Sequence, residues 1–300
     1  MTTRSNGPLA GLGWLKRGIN VGHANPKALL GGAAFLLLLC LLPTLITMPM
    51  QFGALRAGMQ PNPATFGWIM AISAIAGLLL VPLYAGYLQM IDAAERGLPA
   101  RARDIFKPYR QGEAPRLIGY GLAMIVVYVA MFGIVIAATG GGIARWYMQL
   151  VTAQLNHQPP PVALPNGFGI TIALFVVLGL FMMGVYAISL GQVALGRRSV
   201  FGAIADGVAG TLKNLLPLLV FVVSMVVAWI LLAIVIGLLA ALLALLGKLV
   251  GTWLVLVLIV PLYLAVMLML FAVMFGVMYY LWRDVCGDDS VPAVAQSIAA

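Results

Sequence analysis

Residues Asp92 to Arg116 read DAAERGLPARARDIFKPYRQGEAPR and hold ten of the chain's 25 charged residues, six of them Lys or Arg. Apolar runs too long for a soluble fold lie on both sides of this stretch. A charged segment between two membrane spans stays in water, and a short loop rich in Lys and Arg is typical of the cytoplasmic side. The stretch therefore predicts a cytoplasmic loop, which orients every other segment of the chain.

The composition predicts a polytopic integral membrane protein. The 300 residues are 63% hydrophobic and 8% charged, whereas about a quarter of the residues of a soluble domain are charged. The net charge is +9, but the basic residues flank apolar runs instead of forming a basic domain. We therefore expect the bilayer and its anionic phospholipids as partners, and no nucleic acid. Cys40 and Cys286 are far apart in the chain, so we expect no disulfide framework.

Six apolar runs are long enough to cross a bilayer, which needs about 20 residues of helix. The predicted fold is therefore an all-α membrane bundle of three helical hairpins in a single domain, residues 1–300. The run that follows Lys27 lacks a small-residue cleavage site, so we interpret it as a retained first span. The predicted spans are residues 28–50, 66–91, 117–139, 168–195, 215–246 and 252–282.

The basic residues predict the orientation of these spans. Fourteen Lys and Arg lie in the N-terminal segment, the 92–116 stretch, the 196–213 loop and the C-terminal segment, whereas the alternate loops hold three. Basic residues are enriched in cytoplasmic loops. Both termini are therefore predicted to be cytoplasmic, and the 140–167 loop is predicted to lie on the other side, where its role stays open.

A segment with helical spacing of apolar residues precedes each outward-going odd span. We interpret these segments as amphipathic helices at the headgroup level. They are either ordinary interfacial connections or a dedicated surface for lipid or for a partner protein. Their apolar faces consist of Leu12, Leu15 and Ile19, of Ile105, Phe106 and Tyr109, and of Val200, Ile204, Val208 and Leu212.

Glycine spacing indicates an internal repeat. Gly86 and Gly97 are eleven residues apart, and so are Gly276 and Gly287. Gly18 precedes Asn25 by seven residues, as Gly207 precedes Asn214, so the first hairpin unit recurs near the end of the chain. Both copies would begin on the same side of the membrane. The predicted repeat is therefore parallel.

The spans carry no pattern of residues that indicates catalysis. None of them holds Asp, Glu, Lys, Arg or His in its interior, although such residues are the usual mark of function inside a bilayer. No zinc-protease, phosphate-loop or nucleophile motif occurs either. We therefore expect no enzymatic activity, no metal and no cofactor. Gln89 and Gln192 are candidates for lining a polar path.

Two short motifs resemble those of a known family. They are Trp14–Gly18–Asn25–Pro26 before the first span, and the Gly86–Gly97 segment after the second span, which Asp104–Ile105–Phe106 follows. They are similar to those of an uncharacterised family of six-span bacterial inner-membrane proteins, itself distantly similar to the membrane-anchor domains of glycerophosphodiester phosphodiesterases. The resemblance implies a six-helix bundle in a bacterial inner membrane. It implies no activity and no functional residues.

The first function hypothesis is a non-enzymatic protein that organises lipids or scaffolds a cytoplasmic partner protein through a basic face. The alternative hypothesis is a transporter or channel for a small neutral or lipophilic solute. A cavity lined by polar groups would favour the transporter, and a closed apolar interior would favour the scaffold. The residues predicted to contact anionic lipid or a partner are Arg96, Arg101, Arg103, Lys107, Arg110, Arg116, Lys16, Arg17, Arg197 and Arg198.

Overall fold

The computed structural model describes residues 3–21, 23, 25–56, 63–139, 141–155, 158–159, 161 and 163–287. Six of its helices are long and apolar enough to cross a membrane, which confirms the predicted all-α bundle of six spans. The helices are α1 Ala10–Asn20, α2 Pro26–Arg56, α3 Pro63–Glu95, α4 Lys107–Arg110, α5 Ala114–Ala138, α6 Gly142–Leu155, α7 Phe168–Ala194, α8 Val200–Lys213, α9 Leu215–Val250 and α10 Thr252–Cys286.

The spans form the hairpins α2–α3, α5–α7 and α9–α10, with α6 in the connection between α5 and α7. Four of the helices continue past the predicted span ends: α2 to Arg56, α3 to Glu95, α9 to Val250 and α10 to Cys286. The added turn of α3 is bonded to α10. Tyr279 and Tyr280 of α10 donate hydrogen bonds to the carboxylates of Asp92 and Glu95 of α3.

We name residues 10–20, 102–110 and 200–213 the three lead-ins, because each precedes the first helix of a hairpin. Only the first and third are single helices. The second is a 3-10 helix, Ala102–Phe106, followed by the four-residue α4. Asp104 accepts a hydrogen bond from the Arg101 backbone N–H at 2.8 Å, which closes the 3-10 turn. The predicted helical lead-in is therefore present as two short helical pieces instead of one continuous α-helix.

Each lead-in packs on the hairpin of another unit. The second packs on α2 and α3, and α8 packs on α7 and α5, so both lie against the hairpin that precedes them in the chain. Since no hairpin precedes α1, it packs on α9 and α10, the last hairpin. The three units therefore close into a ring at this end of the bundle. We call it the charged end.

Glycines make the close approach of the lead-ins possible. A Cβ atom at Gly86 would lie 2.0 Å from the Ile105 carbonyl oxygen, and one at Gly276 would lie 3.0 Å from that of Gly18. On α7, a Cβ at Gly184 would lie 2.8 Å from the Thr211 hydroxyl oxygen. The second helix of each hairpin thus receives a lead-in at a glycine. Superposition of the hairpins stays a prediction, but Gly86 and Gly276, which the parallel repeat pairs, have the same role.

Two asparagines tie the ring together in equivalent ways. Asn25, before α2, donates to the Ala100 carbonyl at the entry to the second lead-in. Asn214, before α9, donates to the carbonyl of Arg4 and accepts from the backbone N–H of Asn6, at the entry to the first lead-in. Each asparagine thereby holds the chain segment that enters the next lead-in around the ring.

The first and third lead-ins bury small residues against the bundle and leave part of their predicted apolar faces exposed. On α1, the buried face contains Gly11, Trp14, Leu15 and Gly18, whereas Leu12 and Ile19 are exposed. On α8, the fully buried residues are Ala203, Gly207, Gly210 and Thr211, while Phe201 and Leu212 are exposed. The predicted apolar faces therefore do not pack as units on the protein, because close helix approach favours small residues.

Candidate functional site

The charged end is held together by hydrogen bonds that join different units. Asp284 of α10 accepts a hydrogen bond from the Trp14 indole N–H of α1 at 2.8 Å, and Arg17 forms an ion pair with the same carboxylate. The Arg17 guanidinium also lies 4.7 Å from the centre of the Tyr280 ring. Tyr280 in turn donates to Glu95 on α3 at 2.6 Å. One chain of contacts therefore links α1, α10 and α3.

The two glutamines that were candidates for a polar path belong to this network. Gln89 donates to Glu113 at 3.2 Å and to the Ala194 carbonyl at 3.1 Å, which joins α3 to α7 and to the start of α5. Gln192 is fully buried and donates to Asp206 at 3.0 Å. Both amides act as bridges between helices, which disfavours a polar path at these positions.

The acids at this end are more buried than the arginines that pair with them. The exposed fraction of the side chain is 12% for Asp206 and 43% for its partner Arg198, and it is 24% for Asp284 and 42% for Arg17. A hydrogen bond and the charge of Asp206 raise the pKa of the Arg198 guanidinium. The surface that faces solvent is thus more positive than a count of charges suggests.

Five of the ten predicted contact residues are engaged with the protein itself. Arg17, Arg96 and Arg198 pair with Asp284, Asp92 and Asp206. Arg116 donates to the Val193 carbonyl at 2.9 Å, and Arg110 donates to the Arg103 carbonyl at 3.3 Å while lying 3.7 Å from Asp104. Each of these contacts fixes a guanidinium group in the charged end.

The side chains of the other five predicted residues have no intramolecular hydrogen bond or ion pair within the part of the chain that the structure describes. They lie on the lead-ins or beside them, so all three units contribute at least one. Four are exposed and Lys107 is half-buried. These free cations are Lys16, Arg101, Arg103, Lys107 and Arg197.

The sequence did not single out Lys27 as a contact residue, and it is exposed at the start of α2. Asn25, two residues earlier, bonds the Ala100 carbonyl at 3.2 Å, and Gly31 lies against Ala102. Lys27 therefore lies on the same edge of the charged end as Arg101 and Arg103. Proximity of this kind depends on the docking of the second lead-in, which the sequence pattern did not predict.

Exposed apolar side chains border the free cations on each lead-in. Leu12 and Ile19 flank Lys16 on α1, and Phe201 follows Arg197 with 81% of its surface exposed. Tyr109, near Lys107, is partly exposed and donates to the Leu79 carbonyl of α3, and burial raises the pKa of its phenol. Adjacent apolar and cationic side chains suit the boundary between acyl chains and headgroups.

Among the described residues, no three His, Cys, Asp or Glu side chains come together in a way that could hold a metal ion. No family model, no curated protein and no solved structure matches the chain.

Proposed function

We propose that the charged end of this integral membrane protein faces the cytoplasm, with both termini on that side of a bacterial inner membrane. The 14-to-3 distribution of basic residues between the two sides supports this orientation. The resemblance to the six-span inner-membrane family supports the bacterial location. The carboxylates and the glutamines of the charged end are occupied in joining helices, which supports a non-enzymatic role.

We further propose that the protein binds and organises anionic phospholipid through the free cations of the lead-ins. The observation that carries this proposal is the separation of the basic residues into engaged arginines and free cations. The six described acids all accept hydrogen bonds from the protein. The free cations are thereby left to solvent or to headgroups.

Arg101, Arg103 and Lys107 form the densest group of free cations. A juxtamembrane Lys or Arg near an anionic surface contributes about 1 kcal/mol, so the group contributes about 3 kcal/mol before Asp104 and salt reduce it. The exposed apolar side chains of the lead-ins would insert beside it, and salt does not screen that contribution. A cytoplasmic partner protein bearing acidic groups is the second candidate for this surface.

The alternative function is transport of a small neutral or lipophilic solute. The engagement of Gln89 and Gln192 disfavours a polar route through the charged end. A lipophilic solute needs no such route, and an apolar cavity between the spans keeps this alternative open.

Native mass spectrometry tests the lipid proposal. The protein is incubated with mixed phosphatidylglycerol and phosphatidylcholine, and retained lipids are counted. The triple variant R101Q/R103Q/K107Q should retain at least about tenfold less phosphatidylglycerol, since 1.4 kcal/mol corresponds to tenfold. The control variant R145Q/K248Q, altered on the predicted outer side, should retain as much as the wild type. Equal retention by the triple variant and the wild type would leave these cations only a role in topology.

A further inference from the structure

A cavity of about 310 Å³ lies between α5, α7, α9 and α10. Its deep end is formed by residues that are almost fully buried, Ala187, Phe221 and Leu281. At its other end, Phe132 and Met274 have 43% and 50% of their surface exposed. The cavity is therefore closed toward the charged end and open toward the surrounding membrane.

The depth of the cavity corresponds to one leaflet. On α7, Ala187 lines the deep end of the cavity and Gly179 lines its mouth. The helix ends at Ala194. At 1.5 Å per residue, they lie about 10 Å and about 22 Å from that end. Gly184, which contacts Thr211 of α8, marks the level of the lead-ins. The cavity thus extends from the lead-in level toward the middle of the bilayer, as the acyl chains of the adjoining leaflet do.

The lining of the cavity is apolar and adaptable. Among the described lining residues, only Tyr128 and Tyr186 carry a hydroxyl group, and none carries a charge. A polar solute would lose its hydration there with at most these two hydroxyl groups to replace its hydrogen bonds. Methionine side chains are flexible and polarisable, so they fit apolar ligands of irregular shape. Six of the chain's 16 methionines line the cavity: Met131, Met182, Met183, Met225, Met274 and Met278.

A lateral route into the cavity runs between α5 and α9. Helix α5 packs on α7, α7 packs on α10, and α10 packs on α9. Helix α9 also packs on α7, and α3 packs on both α5 and α10, so within the described residues the side between α5 and α9 is the least covered. Both helices are spans, so this side faces hydrocarbon, and a chain can enter without leaving the bilayer.

We propose that this cavity binds one hydrocarbon chain of a phospholipid from the leaflet adjoining the charged end. A methylene group is similar in size to a water molecule, which takes about 30 Å³ in the liquid, so the cavity holds about ten methylene groups. That is a large part of one acyl chain. The site contacts only the chain and is independent of the free cations, so it goes beyond the proposed function.

Photolabelling in nanodiscs tests the chain site. The probe is a phospholipid with a diazirine in the middle of one acyl chain, and mass spectrometry identifies the labelled residues. We expect adducts on Met182, which is 3% exposed, and on Met225. Probes with a phosphatidylglycerol or a phosphatidylcholine headgroup should label these two positions equally. The comparison of the two headgroups distinguishes the proposed chain site from the proposed binding of anionic lipid by the free cations, which predicts a preference for phosphatidylglycerol.

Two matched glycine substitutions sharpen the test. A Cβ atom at Gly179 or at Gly237 would have no heavy atom within 4 Å, so both positions accept a side chain without a clash. Gly179 lines the cavity mouth, whereas Gly237 of α9 does not line the cavity. G179F should lower labelling of Met182 about tenfold, the equivalent of about two buried methylene groups lost to the chain. G237F should leave this labelling unchanged.

A melting curve establishes that both variants are folded. A187L, at the deep end, provides a second test, because it shortens the cavity without touching the mouth, and it should lower labelling of Met182 as well. Labelling confined to exposed positions would overturn the proposal, and so would equal labelling of Met182 in folded G179F and G237F.

Discussion

The half of the bundle at the charged end and the opposite half bury their apolar residues very differently, although the same six spans run through both. Along α3, Trp68, Met70, Ile75 and Leu79 each have at least half of their surface exposed, whereas the apolar residues between Val81 and Ala94 are largely buried. Helix α7 changes in the same way, from exposed residues such as Ile170 to continuous burial from Ala187 to Ala194. Tight packing is thus concentrated at the charged end.

The reason for this difference is the solvent that surrounds each half. In hydrocarbon, an exposed leucine costs nothing, and no hydrophobic force draws the helices together. Close packing there has to come from small residues and interhelical hydrogen bonds. The lead-ins supply both at the charged end, through Gly86, Gly184 and Gly276 and through the bonds of Asp284 and Asn214.

The largest expected effect comes from a glycine substitution in the half of α3 at the charged end, compared with a glycine substitution in the other half of the same helix. In G86A, the new Cβ atom would lie 2.0 Å from the Ile105 carbonyl oxygen, so the second lead-in must move. Overpacking costs about 1–3 kcal/mol, and a backbone obstacle places this variant at the upper end, about 3 kcal/mol. SDS titration followed by circular dichroism measures the free energy of unfolding.

The control is G77A on the same helix, where a Cβ atom would have no neighbour within 4 Å. Its higher helix propensity should stabilise the protein by up to about 1 kcal/mol. Equal destabilisation by both substitutions would show that the lead-in contact is not what distinguishes the two halves.

The spans could be predicted from the sequence, but the ring of lead-ins could not. Long apolar runs fix where helices cross the bilayer, and all six predicted spans are present. The surface on which the lead-ins dock, by contrast, is formed by glycines. A glycine has no side chain, so it gives no signal in a pattern of apolar side chains. The pattern of Leu12, Leu15 and Ile19 therefore indicated an apolar face, of which only Leu15 is buried, and Gly11 and Gly18 make the close approach. Chain order also did not indicate that α1 would pack on the last hairpin.

The candidate site was predicted in composition but not in detail. The sequence located the basic residues at the charged end, and it did not separate Arg17 or Arg198 from Lys16 or Arg197. That separation depends on acids distant in sequence, such as Asp284, which pairs with Arg17. The functions of Gln89 and Gln192 as bridges likewise depend on neighbouring helices that only the folded chain brings together.

A second prediction concerns the bonds that join α1 to α10. D284N removes the charge that pairs with Arg17 and weakens the bond to the Trp14 indole. Hydrogen bonds to charged groups contribute about 1.5–3 kcal/mol, and exposure of Arg17 reduces the loss, so we expect about 1–2 kcal/mol. The same SDS titration measures it.

T152V in α6 is the control, since its hydroxyl bonds only the Met148 carbonyl within one exposed turn. We expect a change within about 0.5 kcal/mol. A loss for T152V as large as that for D284N would contradict the view that the charged end contributes most of the specific stability.

The smallest predicted effect compares two tyrosines of α10. Y280F removes the hydroxyl that donates to Glu95 at 2.6 Å and should cost about 1 kcal/mol. Y263F, on the same helix in the opposite half, alters a side chain with 59% of its surface exposed and should cost nothing measurable. A double-mutant cycle of Y280F with E95Q isolates the bond, and a coupling energy of zero would exclude it as a link between α3 and α10.

The orientation of the charged end is the central claim, because the proposed binding of anionic lipid requires the cytoplasmic leaflet. Labelling of single cysteines in intact bacterial cells with a membrane-impermeant maleimide tests it directly, after Cys40 and Cys286 are replaced by alanine. Gly112, beside the second lead-in, and Gln158, after α6, are both exposed sites for the new cysteine. We predict that Q158C is labelled in intact cells and that G112C is labelled only after permeabilisation. Labelling of G112C in intact cells would contradict the account.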